Sequence, residues 1–263
     1  MEIDALCKEV MTSKRIVVPE NASLAGGSRE NFLEMGCIML RELLRTSALA
    51  PSSSVLEIGS GLGRIAYPLA LYLDGGRYTG LEIVKESVAF CRAHVAPLAS
   101  PATRFEFLHL DCYNEYYNPE AQTRLRDLEF PDLGQFDLVF MSSVCTHLED
   151  EELRIYLRQA ARWTRPGGEF WATFFLIDDA AEERLKSARH AVSMPFDVAS
   201  AGPDYYLDHN RSTAAVAYRP DYVASLIAGA GLEPRSMQLG NWSGAARSYF
   251  GYQDLVVATK PVK

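Results

Sequence analysis

A glycine-rich segment near residue 60 has the residue types and spacing to hold a small ligand by its backbone. It follows the apolar run at residues 55–58 and places glycines at every second position, Gly59, Gly61 and Gly63. Because glycine lacks a side chain, the chain can turn sharply there and approach a bound molecule closely. Glu57 precedes the first glycine by two residues, and its carboxylate would repel the phosphate that a G-x-G-x-x-G loop binds. The pattern therefore predicts a cationic or zwitterionic ligand.

Acidic residues close the next two predicted strands. Residues 77–82 favour a strand that ends at Glu82, and residues 105–110 favour a strand that is followed by Asp111. An acid at the end of the second strand is where a doubly wound nucleotide site holds a ribose. Because the carboxyl ends of parallel strands meet at one edge of a sheet, we expect the glycine turn and both acids to lie together.

A histidine follows the fourth predicted strand, at residues 136–141. The chain reads Ser-Ser-Val-Cys-Thr-His-Leu from Ser142 onward, so His147 should lie on a loop at the same sheet edge. An imidazole with a pKa near ~6.5 could remove a proton from a hydroxyl or ammonium nucleophile. The sequence equally allows His147 to pack against the ligand or to cap the following helix.

These motifs resemble those of the class I S-adenosylmethionine-dependent methyltransferases, whose first motif is E/D-x-G-x-G-x-G. The stretch from Ser142 is similar to the S-V-F-T-H-L segment of bacterial small-molecule methyltransferases, with Cys145 where the family more often has Phe. The resemblance implies S-adenosylmethionine as the cofactor, with the end of strand four facing its sulfonium and His147 beside the transferable methyl group. The acceptor would be a small molecule.

The resemblance also assigns residues to the cofactor. In the family, an acid at the position of Asp111 accepts from the adenine amino group, and the next backbone N–H reaches the ring. The residues expected to bind the cofactor are Glu57, Gly59, Ser60, Gly61, Gly63, Glu82, Ile83, Asp111, Cys112 and Ser142.

The predicted strands and helices alternate from residue 55 to residue 177, which favours a doubly wound, Rossmann-like α/β fold with a mostly parallel sheet. Two last strands, at residues 233–239 and 253–259, should pair antiparallel and match the family's seven-stranded sheet with a reversed last strand. We expect a methyltransferase domain at residues 51–263. Residues 1–50 should form an N-terminal helical segment that covers the site, since a helical apolar stripe runs through residues 29–48. Pro68 lies inside a helix expected to start near Leu62, where it should bend the helix. The fifth strand is expected at residues 169–177, directly after the sequence Arg-Pro-Gly-Gly.

Two irregular regions interrupt this pattern. The loop at residues 112–135 is long for an α/β connection, and loops of that length are usually functional or disordered. Residues 178–219 should form a cap insertion over the substrate pocket, although a surface elaboration or an oligomer contact is an alternative. The residues expected to bind the acceptor are Tyr113, Tyr117, His147, Tyr205 and Tyr206.

Other family motifs narrow the chemistry. Methyltransferases acting on nucleobase amino groups have N/D-P-P-Y/F at the end of strand four, where this chain has Met-Ser-Ser-Val at residues 141–144. Metal-dependent catechol-type enzymes have an Asp there and Asp-Asn after strand five, which gathers oxygen ligands around a hard cation. Here Ser142 takes the first place, and we interpret Asp178 or Asp179 as a helix N-cap. We therefore expect no metal site.

The sequence does not decide which atom is methylated, and it leaves two rival functions as alternatives. O- or N-methylation is favoured and C-methylation is an alternative. An aminopropyltransferase would carry acids in its fourth motif, where this chain has Ser142 and Ser143. A non-catalytic S-adenosylmethionine-binding subunit would lack a closed substrate pocket or need a partner chain to complete one.

Composition argues against several classes of partner. The 263 residues carry a formal net charge of -8 without a basic patch, so we expect no nucleic-acid partner. No apolar run of about 18 residues occurs, and the start is not basic, so we expect neither a membrane span nor secretion. The five cysteines are odd in number and lack C-x-x-C spacing, which predicts buried, reduced thiols in the cytoplasm. The oligomeric state is open, and a homodimer is compatible with the sequence.

Overall fold

The computed structural model of the chain describes residues 2–19, 28–188, 191–197, 204–206, 215–244 and 251–262. The chain divides into two compact units. The first consists of Met1–Glu129 with Phe136–Leu138, and the second of Phe130–Gln135 with Val139–Lys263. Within the described part of the chain, none of the helices combines the length and the apolar character needed to cross a membrane.

The described part of the first unit contains four α-helices and three β-strands. Strand β1 pairs in parallel with β2, and β2 pairs in parallel with β3. The elements are α1 (Ile3–Thr12), α2 (Arg29–Thr46), β1 (Ser54–Ile58), α3 (Ala66–Tyr72), β2 (Arg77–Glu82), α4 (Lys85–His94) and β3 (Arg104–His109).

The second unit contains the remaining elements, apart from β4 (Phe136–Met141), which crosses the boundary between the units. Strand β9 pairs antiparallel with both β5 and β8. The elements are α5 (Asp150–Trp163), β5 (Thr164–Phe174), α6 (Asp179–Ser187), β6 (Asp204–Tyr206), β7 (Val216–Tyr218), α7 (Pro220–Gly229), β8 (Glu233–Gln238) and β9 (Asp254–Thr259).

Seven strands form one sheet in the order β3-β2-β1-β4-β5-β9-β8, and β6 and β7 form a separate pair. Strands β1 and β4 are almost continuously buried, as expected for central strands with both faces covered. Strand β8 lies at the edge and is largely exposed, and Pro234 and an adjacent register shift are compatible with that place. The predicted Rossmann-like sheet with a reversed last strand is confirmed.

Two predicted boundaries were wrong. Helix α3 begins at Ala66 and not near Leu62, so Pro68 falls in its first turn, where the backbone N–H needs no helical partner and no bend follows. Strand β5 begins at Thr164 and includes the Pro-Gly-Gly sequence that was expected to precede it. The reason is tertiary pairing, since the chain at Gly167 and Gly168 exchanges backbone hydrogen bonds with Lys260.

Candidate active site

The glycine loop after β1 turns through left-handed backbone conformations. Gly59, Gly61 and Gly63 have φ values of 78°, 51° and 80°, which side chains disfavour. A Cβ atom on Gly63 would lie 3.0 Å from Val95 Cγ2 and 3.1 Å from Cys91 Sγ, so this glycine packs against the α4 region. A Cβ atom on Gly61 would meet no described atom within 4 Å. The loop thus exposes backbone at Gly61 to open space that a ligand can enter.

Glu82 connects the end of β2 to this loop. One carboxylate oxygen accepts the Gly61 N–H at 2.7 Å and the other accepts the Val84 N–H at 2.8 Å. Burial raises the pKa of Glu82, and the backbone N–H donors oppose that rise. Each oxygen keeps further acceptor capacity. The carboxylate can therefore accept hydrogen bonds from the hydroxyl groups of a ligand while it holds the loop in place.

The Glu57 side chain is buried and hydrogen-bonded within the protein. It is 2% exposed, and it accepts a 2.5 Å hydrogen bond from the Tyr78 hydroxyl. Burial raises the pKa of Glu57 to about 8, against the opposing effects of that hydrogen bond and of the charge on Arg64. Glu57 is thus mainly protonated near neutral pH, and its contact with the cofactor stays a prediction.

Ser60 provides a test of whether the loop fits a polar ligand. Its side chain is 4% exposed, and its Oγ has no hydrogen-bond partner among the described residues. The backbone N–H groups of Gly59 and Ser60 both donate to the Leu81 carbonyl, at 2.8 and 3.0 Å. Leaving a buried hydroxyl unpaired costs about 1–3 kcal/mol. A ligand with polar groups at this loop would remove that cost, so the site fits the predicted cofactor.

The chain after β3 forms an ordered turn beside Asp111. Asn118 Nδ2 donates to Asp111 Oδ1 at 3.3 Å and to the Cys112 carbonyl at 3.1 Å. Asn114 Oδ1 accepts the backbone N–H groups of Tyr116 and Tyr117, each at 3.0 Å. The contact of Asn118 with Asp111 was not predicted from the sequence, although Asn-Pro is a recognised turn signal.

Two of the tyrosines predicted to bind the acceptor lie in this first unit. Tyr117 is 52% exposed, and its pKa is raised by partial burial and by the charge of Glu82. The Arg124 guanidinium lies 3.8 Å from the centre of the Tyr113 ring. Helix α2 also approaches the glycine loop, since a Cβ atom on Gly36 would lie 2.2 Å from the Arg64 carbonyl oxygen.

In the second unit, the segment after β4 carries His147 on a short 3₁₀ turn, Cys145–His147. The His147 N–H donates to the Val144 carbonyl at 2.9 Å. Cys145 is fully buried and His147 is half-buried. His147 does not cap helix α5. Glu149 occupies the N-cap position, and the Glu152 side chain accepts the backbone N–H of Glu149 at 3.3 Å.

Ser143, next to the predicted cofactor residue Ser142, lies in a hydrogen-bonded group that the sequence analysis missed. Its φ of 56° is the one positive φ at a non-glycine position in the described ranges. Its N–H donates to Thr173 Oγ1 at 2.8 Å, and its hydroxyl donates to Gln253 Oε1 at 3.0 Å. No sequence signal reveals this group, since its members lie on three separate segments.

Part of the region predicted to be a cap packs into an apolar cluster with residues on either side of it. Residues from α6, from the 191–197 segment and from β7 pack with Trp242; the cluster consists of Phe175, Ile177, Ala181, Leu185, Val192, Phe196, Ala215, Ala217 and Trp242. Strand β6 pairs with β7, with Tyr205 opposite Ala217. The side chains of Tyr205 and Tyr206 lie outside the described part of the chain.

The two aspartates that follow β5 are engaged within the protein. Asp178 caps α6 by accepting the Ala181 N–H at 2.9 Å, which confirms the N-cap prediction. Asp179 forms a salt bridge with Arg219 at 3.0 Å. Across the described ranges, no group of three or more His, Cys, Asp or Glu side chains is arranged to hold a metal ion. All five cysteines are buried and unbridged, as predicted.

Comparison with known proteins identifies the domain that holds these residues. Residues 56–172 match the sequence profile of the family described as "Methyltransferase domain". This range contains the glycine loop, Glu82, Asp111 and His147. This part of the chain is thus similar to methyltransferase domains.

Two curated relatives align with part of this chain. An arsenite methyltransferase of Aquipseudomonas alcaligenes is 30% identical over 140 residues, which cover 53% of this chain and 37% of that protein. A fatty-acid O-methyltransferase of Mycolicibacterium smegmatis is 30% identical over 153 residues, which cover 58% of this chain and 46% of that protein. The chain thus spans less than half the length of these relatives.

Solved structures of methyltransferases share the fold. A glycopeptide N-methyltransferase complexed with S-adenosylhomocysteine matches with a TM-score of 0.53 at 20% identity, covering 85% of this chain and 89% of that one. Magnesium protoporphyrin IX methyltransferase from Synechocystis PCC 6803 matches with a TM-score of 0.54 at 13% identity, covering 98% and 94%. At these identities the likeness shows the fold of this chain.

Proposed function

We propose that this protein transfers the methyl group of S-adenosylmethionine to a hydroxyl or amine of a small-molecule acceptor, without a metal ion. The observation that carries the proposal is the glycine loop. It is fixed by Glu82, open at Gly61, and contains the buried, unpaired Ser60 hydroxyl. The two curated relatives support a small acceptor, since their names specify arsenite and fatty acids.

The residues of the first unit would hold the cofactor. Glu82 would accept hydrogen bonds from the ribose hydroxyls, and Asp111 would accept one from the adenine amino group. The backbone from Gly59 to Gly63 would lie against the rest of the cofactor, where Ser60 Oγ would find a hydrogen-bond partner. Bound S-adenosylmethionine would supply an activated methyl group on a sulfonium. Ile83 and Cys112, which directly follow the two acids, would offer backbone groups to the same ligand.

In the second unit, we assign His147 as the general base. A hydroxyl or ammonium nucleophile must lose a proton when it is methylated, and a neutral imidazole can accept that proton. Ser142 would complete the cofactor side at the end of β4. Tyr113, Tyr117, Tyr205 and Tyr206 would contact the acceptor, and residues 178–219 would form a cap that excludes water.

Net charge and cysteines bear on the kind of acceptor and on the cellular compartment. The net charge of -8 disfavours a nucleic-acid acceptor. The five buried free thiols suit a reducing compartment such as the cytoplasm.

A radiolabel transfer assay tests this function. The protein is incubated with S-adenosylmethionine labelled in its methyl group and separately with phenol, benzyl alcohol, benzylamine, hexadecanoic acid and arsenite. We expect label on a hydroxyl or amine acceptor, and none with Gly61→Val. Label on arsenite alone would contradict the proposed acceptor class. Tight binding of S-adenosylhomocysteine without transfer to any compound would favour a non-catalytic binding subunit.

A further inference from the structure

Gln253 has a fixed side-chain orientation at the carboxyl end of β5. Strand β9 runs antiparallel to β5 with Asp254 opposite Phe174, so Gln253, the residue before β9, lies just beyond the end of β5. The segment that follows β4 reaches the same place through Ser143. Carboxyl ends of strands are where ligands bind in open α/β sheets.

Two hydroxyl groups contact the side-chain oxygen of Gln253. Thr173 Oγ1 donates to Gln253 Oε1 at 2.7 Å, and Ser143 Oγ donates to the same oxygen at 3.0 Å. Thr173 Oγ1 already accepts the Ser143 N–H at 2.8 Å, so its own proton is free to donate to the amide. The carbonyl oxygen is therefore held by two donors.

The amide nitrogen is left as the available group. No described residue forms a hydrogen bond with Gln253 Nε2, and this atom is not among the buried unpaired atoms of the described chain. Gln253 as a whole is half-buried, whereas Thr173 beneath it is 4% exposed. Two N–H donors thus face outward from a rigid base.

The backbone at Ser143 indicates that this arrangement is maintained against a local cost. A φ of 56° is unfavourable for a serine, and such conformations persist only where surrounding contacts require them. Here the contacts are the hydrogen bonds that also fix Gln253. Donors held in place before a ligand arrives lose little entropy on binding.

We infer that Gln253 Nε2 binds an oxygen atom of the methyl acceptor, with Ser143 and Thr173 as positioning residues. The acceptor therefore carries a carboxylate, carbonyl or hydroxyl oxygen at or beside the atom that is methylated. This assignment rests on the methyl transfer proposed above. A protonated ammonium group cannot accept a hydrogen bond from an amide N–H, so an ammonium is not a ligand for Gln253 Nε2.

Three probes with the same ring separate oxygen recognition from general affinity. Benzoate, phenol and benzylammonium are titrated into the ¹⁵N-glutamine-labelled protein saturated with S-adenosylhomocysteine, and the Gln253 side-chain amide signal is assigned as the one absent from Gln253→Glu. We expect benzoate and phenol to shift this signal and benzylammonium to leave it unchanged. No shift with either oxygen probe, or an equal shift with benzylammonium, would overturn the inference.

The variants are chosen to keep the fold. Gln253→Glu retains an oxygen for Ser143 and Thr173 but removes both donors, and it should bind benzoate about tenfold more weakly or worse. Gln238→Glu, on β8, makes the same chemical change elsewhere and should bind benzoate like the wild type. Thr173→Val should broaden the Gln253 signal, since the amide loses one anchor. Benzoate binding to Gln253→Glu as tight as to the wild type would contradict the assignment.

A separate titration distinguishes failure of this inference from failure of the proposed function. S-adenosylhomocysteine is titrated calorimetrically into the wild type and Gln253→Glu. Absence of binding to the wild type would refute the proposed function itself. Equal binding to both proteins, combined with no response of Gln253 to the oxygen probes, would refute the role of Gln253 alone.

Discussion

The Tyr78 hydroxyl donates a 2.5 Å hydrogen bond to the Glu57 carboxylate inside the first unit. Both side chains are almost completely buried, on the neighbouring strands β1 and β2. Arg64 and Glu82 also act on the pKa of Glu57, Arg64 lowering it and Glu82 raising it. The acid of the first motif is thereby part of a buried hydrogen-bonded pair directly before the glycine loop.

Stability should depend on pH through Glu57. Its pKa is raised from 4.5 to about 8 in the folded protein, so folding retains a proton that the unfolded chain releases. This contribution to the free energy of unfolding is complete below pH 4.5 and is lost as pH rises through 8, at up to ~1.4 kcal/mol per pH unit. Glu57→Gln keeps an acceptor for Tyr78 without titrating, and should lose less stability between pH 5 and 8 in denaturant titrations.

Glu106, a half-buried acid on β3 that pairs with Arg104, provides the control for that experiment. Glu106→Gln makes the same chemical change on a neighbouring strand and should retain the wild-type pH dependence. If Glu57→Gln and the wild type lose stability in parallel across this range, Glu57 is ionised in the folded protein and the buried-proton interpretation is wrong.

Gly61→Val should weaken S-adenosylhomocysteine binding by at least about tenfold, because the side chain fills the open space at the loop and the left-handed backbone disfavours a β-branched residue. Calorimetry measures the effect. Gly75→Val is the matched control, since Gly75 also has a positive φ and open space around its Cβ position but lies in the turn before β2. It should lose stability while keeping affinity. Equal loss of affinity in both variants would mean that strain, and not obstruction, is responsible.

Glu82→Ala should reduce the affinity for S-adenosylhomocysteine by ~1–3 kcal/mol, because ribose hydroxyls lose an acceptor and the Gly61 N–H loses its partner. The same titration on Glu106→Ala, which removes an acid from the adjacent strand, should give the wild-type value. An unchanged affinity for Glu82→Ala would place the ribose elsewhere.

Turnover should survive EDTA. Asp178 is occupied as the cap of α6 and Asp179 pairs with Arg219, while Ser142 stands where a metal-dependent relative has an acid. The measurement is the initial rate of radiolabel transfer before and after chelation. Activity that disappears with EDTA and returns with Mg²⁺ would show that carboxylates of this chain build a metal site.

His147→Ala should lower kcat by ~10²–10⁴-fold and leave the affinity for S-adenosylhomocysteine nearly unchanged, because proton removal matters in the transition state and not in cofactor binding. The wild-type kcat should fall toward acidic pH, because a protonated imidazole cannot accept a proton, and the variant should lack that limb of the pH profile. His94→Ala, which removes a histidine from the end of α4, should behave like the wild type. A variant with wild-type kcat would assign His147 a packing role or indicate a nucleophile that needs no base.

Much of the fold followed from the local sequence. Strands β2 and β4 have the predicted bounds, Arg77–Glu82 and Phe136–Met141, because short apolar runs bounded by turn residues specify buried strands. The glycine loop and the acid that ends β2 were also predicted from spacing alone, since a strand, a tight turn and a helix are encoded by neighbouring residues. Asp178 as a helix cap is local in the same sense.

The tertiary structure alone decided which distant side chains meet. Ser143 and Gln253 are 110 residues apart in the chain and share a hydrogen bond only because β9 returns antiparallel to β5. Burial, too, is a property of the folded molecule: it converts Glu57 from the open carboxylate suggested by the motif into a largely protonated partner of Tyr78. Sequence patterns report the conformation of neighbours, whereas register and desolvation depend on strands that pair across the whole chain.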